Sequence, residues 1–319
     1  MSCASARRNQ AGLAAQPPHR RTITAPRYLT AIWVSLALTL SYDATANEAV
    51  KQSASPALAT YDLGFDTPTE PALQASVEAL DARLRAKFGM AANQTSVGVL
   101  DLKTLRLALV RPDRIDYAAS VPKIGILLAW FQLHPETATK LDPAMRHEFG
   151  LMIKASDNAT AAKYSERLGL HTIQGILNRQ GLYDLEHGGG LWIGKHYGKS
   201  TERYGDPLTN DSHAATIRQL LRYYLWLEQD KLVSPAASAT MRAIFASPDI
   251  AHIDDKFVKG LAGREAQLLR KSGGWEDWYL DSAIVSGGGR HYLIAAMTHH
   301  PQGNAYLAEF AAAVDDLLK

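Results

Sequence analysis

The sequence predicts an α+β fold, an antiparallel sheet built from N- and C-terminal strands, with helices packed on it and an all-helical subdomain inserted between. Three observations carry this. Strand-like runs at 96–100 and 105–110, joined by a short turn at 101–104, stand near the start of the domain, and three more (267–271, 280–285, 291–298) stand near its end. The stretch between, about 121–246, reads as mainly helical, with Gly150, Gly169, Gly181 and the run Gly188–Gly190 as interruptions. Strands at both ends of a helical centre must pair with one another, which excludes a doubly wound parallel sheet.

The elements follow in order. Leu73, Val77, Leu80 and Leu84 recur at helical spacing and predict a helix over 71–88. Pro122, followed by Ile124, Ile126, Leu127 and Leu128, marks a helix that begins close to Ser120. A closing helix is predicted over about 304–318. Residues 47–69, small and polar with scattered Pro, read as a flexible tether ahead of a domain spanning 70–319.

Residues 1–46 read as an address. Arg20, Arg21 and Arg27 precede an apolar run at 28–40, which is short for a membrane span and is followed by Ala44-Thr45-Ala46, a small-x-small cleavage pattern. The expectation is a secretory signal cleaved near Ala46 and a periplasmic or secreted protein. The net charge of +2 owes its sign to this segment: it holds five Arg and one acid (Asp43), leaving 29 basic against 31 acidic residues beyond it. That balance gives no basic footprint for nucleic acid. Cys3 is the only cysteine, so disulfides, zinc-thiolate sites and a cysteine nucleophile are excluded together. The histidines lack a ligand spacing, and neither metal nor cofactor is expected.

Three short motifs carry chemistry. In Ser120-Val121-Pro122-Lys123, positions i and i+3 share a helix face, so the Lys123 amine can approach the Ser120 hydroxyl. A serine needs a base to become a nucleophile, and a lysine serves once burial lowers its pKa. A helix start also offers unpaired backbone N–H groups to a developing oxyanion. Ser156-Asp157-Asn158 supplies a hydroxyl able to relay a proton and an amide that both donates and accepts; the same residues also cap helices well. Lys271-Ser272-Gly273-Gly274 ends an apolar strand. Its Lys and Ser suit a carboxylate, and its glycines let a ligand lie against the backbone as an added strand.

Taken together, these motifs resemble the penicillin-recognising serine hydrolases, and among them the class A β-lactamases, over roughly residues 70–319. The resemblance implies Ser120 as the acylated nucleophile, Lys123 as its base or partner to one, and Ser156 as proton relay to the leaving nitrogen. It implies Asn158 on the acyl side-chain amide, Lys271 and Ser272 on the substrate carboxylate, and an oxyanion hole from the N–H groups of Ser120 and Gly274, with Gly273 between. It further implies a monomer acting without metal on a β-lactam or a peptidoglycan stem peptide.

The chain departs from the family where class A enzymes carry Glu-x-x-Leu-Asn, whose glutamate activates the deacylating water. Residues 183–206 hold no such motif. Glu186 falls early and Glu202 late, and His196 is the non-acid substitute. Three functions therefore stand: a β-lactamase-type hydrolase with slow deacylation, a D-Ala-D-Ala peptidase or peptidoglycan amidohydrolase on the same acyl-enzyme logic, and a non-catalytic peptidoglycan-binding module.

Overall fold

The computed structural model describes residues 55–319; the expected signal peptide and the first part of the expected tether lie outside the described residues. Chain order is α1 (Pro56–Thr60), α2 (Pro71–Phe88), β1 (Thr95–Asp101), β2 (Arg106–Val110), β3 (Asp116–Tyr117), α3 (Lys123–Leu133), α4 (Pro143–Ile153), α5 (Asn158–Leu168) and α6 (Leu170–Arg179). Then come short strands β4 (Tyr183–Asp184), β5 (Gly189–Gly190), β6 (Trp192–Ile193) and β7 (His213–Ala215), followed by α7 (Ile217–Glu228), α8 (Pro235–Ala246) and α9 (Lys256–Gly260). The chain closes with β8 (Gln267–Trp275), β9 (Trp278–Gly287), β10 (Arg290–His299) and α10 (Gly303–Leu317). Among the described residues no helix is long and apolar enough to cross a membrane.

The fold is the predicted α+β arrangement. Five antiparallel strands lie in the order β2-β1-β10-β9-β8, so the N-terminal hairpin joins the C-terminal meander through β1 and β10 (Val97 opposite Ala296). Alternation along the strands splits the side chains between two cores. Val97, Val99, Ala283, Val285 and Ile294 meet α2 and α10, whose Leu73, Val77, Leu80, Phe310 and Val314 are buried. Leu100, Leu109, Ile284, Leu293 and Met297 face the helical part. Gly98 is on that second face because α7 rests on it: a Cβ there would lie 2.5 Å from Ile217 Cγ2 and 2.8 Å from Leu221 Cδ1.

Helix α3 is the hub of the helical part. Its residues from Lys123 to Phe131 are all buried, which explains why its sequence is apolar on every side. Lys123 is the one charged group in that run.

Three expectations need correction. Residues 55–69 are not a free tether: Leu58 and Leu63 are buried in the larger core, Gln229 Nε2 donates to the carbonyls of Leu58 and Tyr61 (2.7 Å each), and Arg218 Nη1 donates to the Gly64 carbonyl (2.8 Å). Two leucines in a polar stretch anchor a strap that reads locally as linker. Gly150 does not interrupt a helix but sits inside α4, where a Cβ would fall 2.6 Å from Ile250 Cδ1 and 2.9 Å from Ser247 Oγ. The predicted strand over 267–271 does not stop before its glycines; β8 continues through Gly273 and Gly274 to Trp275.

The strap yields a stability prediction. Leu63, fully buried, should cost about 2–5 kcal/mol when truncated to Ala. Urea unfolding measures this, and a loss below about 0.5 kcal/mol would restore the tether reading.

Candidate active site

Four segments build the site. Ser120, Val121 and Pro122 form a tight turn ahead of α3, with Lys123 N donating to Ser120 O (3.3 Å) and Ile124 N to Val121 O (3.3 Å). The helix proper thus starts at Lys123, three residues after the serine, and the i→i+3 bonding of the turn keeps residues 120 and 123 on one side. Ala119, just before the serine, has φ +46°, a left-handed backbone that costs a residue with a Cβ of order 1–3 kcal/mol. Asp157 is the N-cap of α5, accepting from Thr160 N (2.6 Å), and Ser156 (φ +60°) turns the chain so that its carbonyl and hydroxyl both face α3.

The last segment is β8, an edge strand with its outer side unpaired. It lies directly against the serine turn: a Cβ on Gly273 would sit 2.7 Å from Ala118 O and 3.1 Å from Ser120 N. Only glycine allows that approach. On the opposite face of β8, Arg270 is buried and paired with Asp281 (2.8 Å to each carboxylate oxygen) and Asp255 (2.5 Å), which fixes the strand.

The centre of the arrangement is Ser156 Oγ. Lys271 Nζ donates to it at 2.8 Å and to Ser272 O at 2.6 Å. Lys123 Nζ donates to Ser156 O (2.6 Å) and Asn158 Oδ1 (2.7 Å), with Ser156 Oγ at 3.4 Å. Both lysines are fully buried. Burial lowers the Lys123 pKa to about 7, against a smaller opposing pull from Asp157. Burial, with Lys123 and Arg270 close by, holds Lys271 well below the ordinary lysine range. The Ser120 hydroxyl has no hydrogen-bond partner among the described residues, so Lys123 is tied to the Ser-Asp-Asn segment rather than to the serine three residues before it.

An open cleft of about 470 Å³ lies in front of these groups, lined by Ser120, Asn158, Gly274, Tyr117, Trp275 and Trp278 on one side and by residues 195–198 and 211–213 on the other. Trp278 stacks on His299 (3.9 Å between ring centroids), whereas Trp275 is 62% exposed at the rim. Asp206 anchors the 206–211 turn through Tyr183 OH (2.6 Å) and the N–H groups of Leu208 and Thr209.

The candidate bases are placed as follows. Glu186 lies on an exposed turn, Leu185–His187, away from the cleft lining. Glu202 is exposed and pairs with His196 Nε2 (3.3 Å). His196 lines the cleft, but its Nδ1 is engaged by Ser165 Oγ (2.8 Å) and its Nε2 by Glu202. The group that faces Lys123 is one that motif reasoning passes over: the Tyr197 ring, 4.5 Å from Nζ to its centroid. Tyr197 stacks on His213 (4.3 Å), whose pKa is lowered to about 4 by burial, leaving a neutral imidazole at physiological pH. No spacing rule marks Tyr197, because the 194–205 excursion that delivers it is fixed by distant contacts (Gly194 N to Ser212 O, 2.8 Å). No cluster of three or more His, Cys, Asp or Glu able to hold a metal occurs among the described residues.

The site thus combines a serine ahead of a helix, two buried lysines and a serine hydroxyl shared between them, beside an edge strand. Comparison with known proteins gives the family. The profile described as the β-lactamase enzyme family matches residues 135–317, more than half of the chain, and the chain belongs to that family. The matched span includes Ser156 and Lys271 and begins after Ser120. No curated protein matches the sequence. Among solved structures the fold is similar to a class A β-lactamase from Mycobacterium abscessus (16% identity, TM-score 0.60, 76% of this chain and 98% of that one). It is also similar to PBP-A (19%, 0.56, 75% and 95%) and to a β-lactamase from Sphaerobacter thermophilus DSM 20745 (14%, 0.58, 75% and 95%). At these identities the likeness is one of fold.

The Lys123 environment is directly measurable. In 13C-lysine NMR, Lys123 should titrate near 7, well below the 10.5 of an unperturbed lysine. Between those values the unfolded chain binds a proton that the folded chain lacks, so this group makes stability rise with pH across the window. An ordinary Lys123 midpoint would contradict the buried geometry.

Proposed function

We propose that the protein is an exported serine hydrolase that opens β-lactam amide bonds through a Ser120 acyl-enzyme and releases the product slowly. The observation that carries this is the sharing of Ser156 by two buried lysines next to Ser120. With its pKa near 7, Lys123 has a substantial free-amine fraction at neutral pH and can take the Ser120 proton as Oγ adds to the lactam carbonyl. The N–H groups of Ser120 and Gly274 hold the oxyanion, a contribution often worth ~3 kcal/mol per donor. As the C–N bond breaks, Ser156 passes its proton to the leaving nitrogen and is reprotonated through the lysines that bond to it. Asn158, its oxygen taken by Lys123, keeps its NH2 for a ligand carbonyl. Ser272 and Lys271, as hydrogen-bond donors, favour a ligand carboxylate.

Deacylation lacks the usual acid. Glu186 lies away from the cleft lining, Glu202 borders it only through its pair with His196, the carboxylates that line it are Asp211 and Glu276, and an aromatic ring covers Lys123. A mutant of PBP-A, a neighbour in fold, is known as an acyl-enzyme complex with penicillin G, which accords with acylation that outlasts hydrolysis on this scaffold. The edge strand β8 also suits a peptide laid alongside it, which favours a second reading: a D-Ala-D-Ala peptidase sharing every acylation step. Release of D-Ala from a stem-peptide substrate supports that reading, and its failure leaves the β-lactam one.

In stopped flow with nitrocefin, one enzyme equivalent should be consumed in a burst followed by slow turnover. Glu186→Gln and Glu202→Gln should leave both phases unchanged. A fast steady rate with no burst, lost in one of these variants, would refute slow deacylation and name the base.

A further inference from the structure

Tyr197 belongs to no motif, yet it touches both halves of the acylation machinery. Its hydroxyl donates to Ala119 O at 3.1 Å in a buried position. The Ala119 carbonyl and the Ser120 N–H belong to one planar, trans peptide unit, so they point in opposite directions. Holding the carbonyl therefore sets the direction of the N–H. That constraint matters because Ala119 is in a left-handed conformation (φ +46°), from which a Cβ-bearing residue relaxes when nothing pins it. The ring is in contact with two groups, Lys123 Nζ (4.5 Å to its centroid) and the His213 imidazole (stacked at 4.3 Å). His213 is itself fixed by Lys195 O (2.9 Å) and Ser212 Oγ (3.1 Å).

Lys123 Nζ spends its donors on Ser156 O, Asn158 Oδ1 and, more weakly, Ser156 Oγ. The Tyr197 ring lies over Lys123 Nζ and so covers one approach of water to the amine. Deacylation requires an activated water: its oxygen adds to the ester carbonyl, its proton passes to a base, the bond to Ser120 Oγ breaks, and Oγ takes a proton back.

We propose that Tyr197 is a positioning residue with two effects: its hydroxyl aims the Ser120 N–H at the oxyanion through the Ala119 carbonyl, and its ring shields Lys123 from hydrolytic water, so that the acyl-enzyme persists. This rests on the reading of Ser120 as the acylated group.

The test follows adduct formation and decay with penicillin G by intact mass across neutral pH, for the wild type, Tyr197→Phe and Tyr197→Ala. Tyr197→Phe keeps the ring and loses the hydroxyl. It should acylate about tenfold more slowly, the equivalent of one ordinary hydrogen bond, with adduct lifetime and pH midpoint unchanged. Tyr197→Ala removes the ring as well. Its adduct should decay several-fold faster, and the acylation midpoint should move upward as water reaches the amine and relieves desolvation, whereas Tyr197→Phe, which keeps the ring, should change neither. Wild-type acylation rates in Tyr197→Phe overturn the aiming role, and an unchanged lifetime and midpoint in Tyr197→Ala overturn the shielding role. Should Tyr197→Ala not fold, the Tyr197→Phe result still decides the first. A wild type that takes no adduct removes the acylation reading itself, and this inference with it.

Discussion

The site depends on an arrangement that is costly on its own: two lysines, Lys123 and Lys271, buried on either side of one serine hydroxyl. Two ammonium groups cannot both stay charged there without acceptors for their protons. The chain supplies acceptors from the carbonyls of Ser156 and Ser272 and the Asn158 amide, and the residual cost lowers both pKa values. What would be a liability in an ordinary core is, on the proposed function, what gives Lys123 the character of a base at neutral pH. The remaining structure serves to hold this pair: α3 carries Lys123 through the most buried part of the helical half, and β8 carries Lys271 with Arg270, Asp281 and Asp255 braced behind it.

The turn at Ser120 and the passage of β8 are one constraint seen from two sides. Gly273 lacks a side chain so that the strand can lie on Ala118 and Ser120, and Ala119 is strained so that the serine faces the strand. Tyr197 closes the third side. In a family whose class A members place a glutamate in this region, the chain supplies an aromatic ring stacked on a neutral histidine. On the proposed function, the consequence falls on deacylation and leaves the acylating groups in place.

Much of this was legible in the sequence, for reasons that can be named. Helix α2 announced itself through Leu73, Val77, Leu80 and Leu84, and the two sheet halves through their hairpins, because both signals are periodic and local. The motifs that hold Ser120, Lys123, Ser156, Asn158 and Lys271 are each contiguous and so can be read locally, and the structure brings the three motifs together around Ser156 Oγ. What escaped was set by distant contacts. Gly150 and Gly273 read as breaks, yet they sit inside regular elements, since the neighbours that require them (Ile250 and Ser247; Ala118 and Ser120) are far along the chain or in another element. The 55–69 strap looked like linker because only Leu58 and Leu63 anchor it. Tyr197 stands about where the missing glutamate motif would fall, but its role was not legible, because its partners Ala119, Lys123 and His213 come from three other segments.

The central claim is that the two lysines equip Ser120 to form an acyl-enzyme that outlives its formation. Intact mass after brief and prolonged exposure to penicillin G, with peptide mapping of the adduct, tests it most directly. The account predicts a mass gain of one penicillin on Ser120 at the earliest time, still present after long incubation and absent from Ser120→Ala. No adduct at any time, or one mapped to another residue, would contradict it.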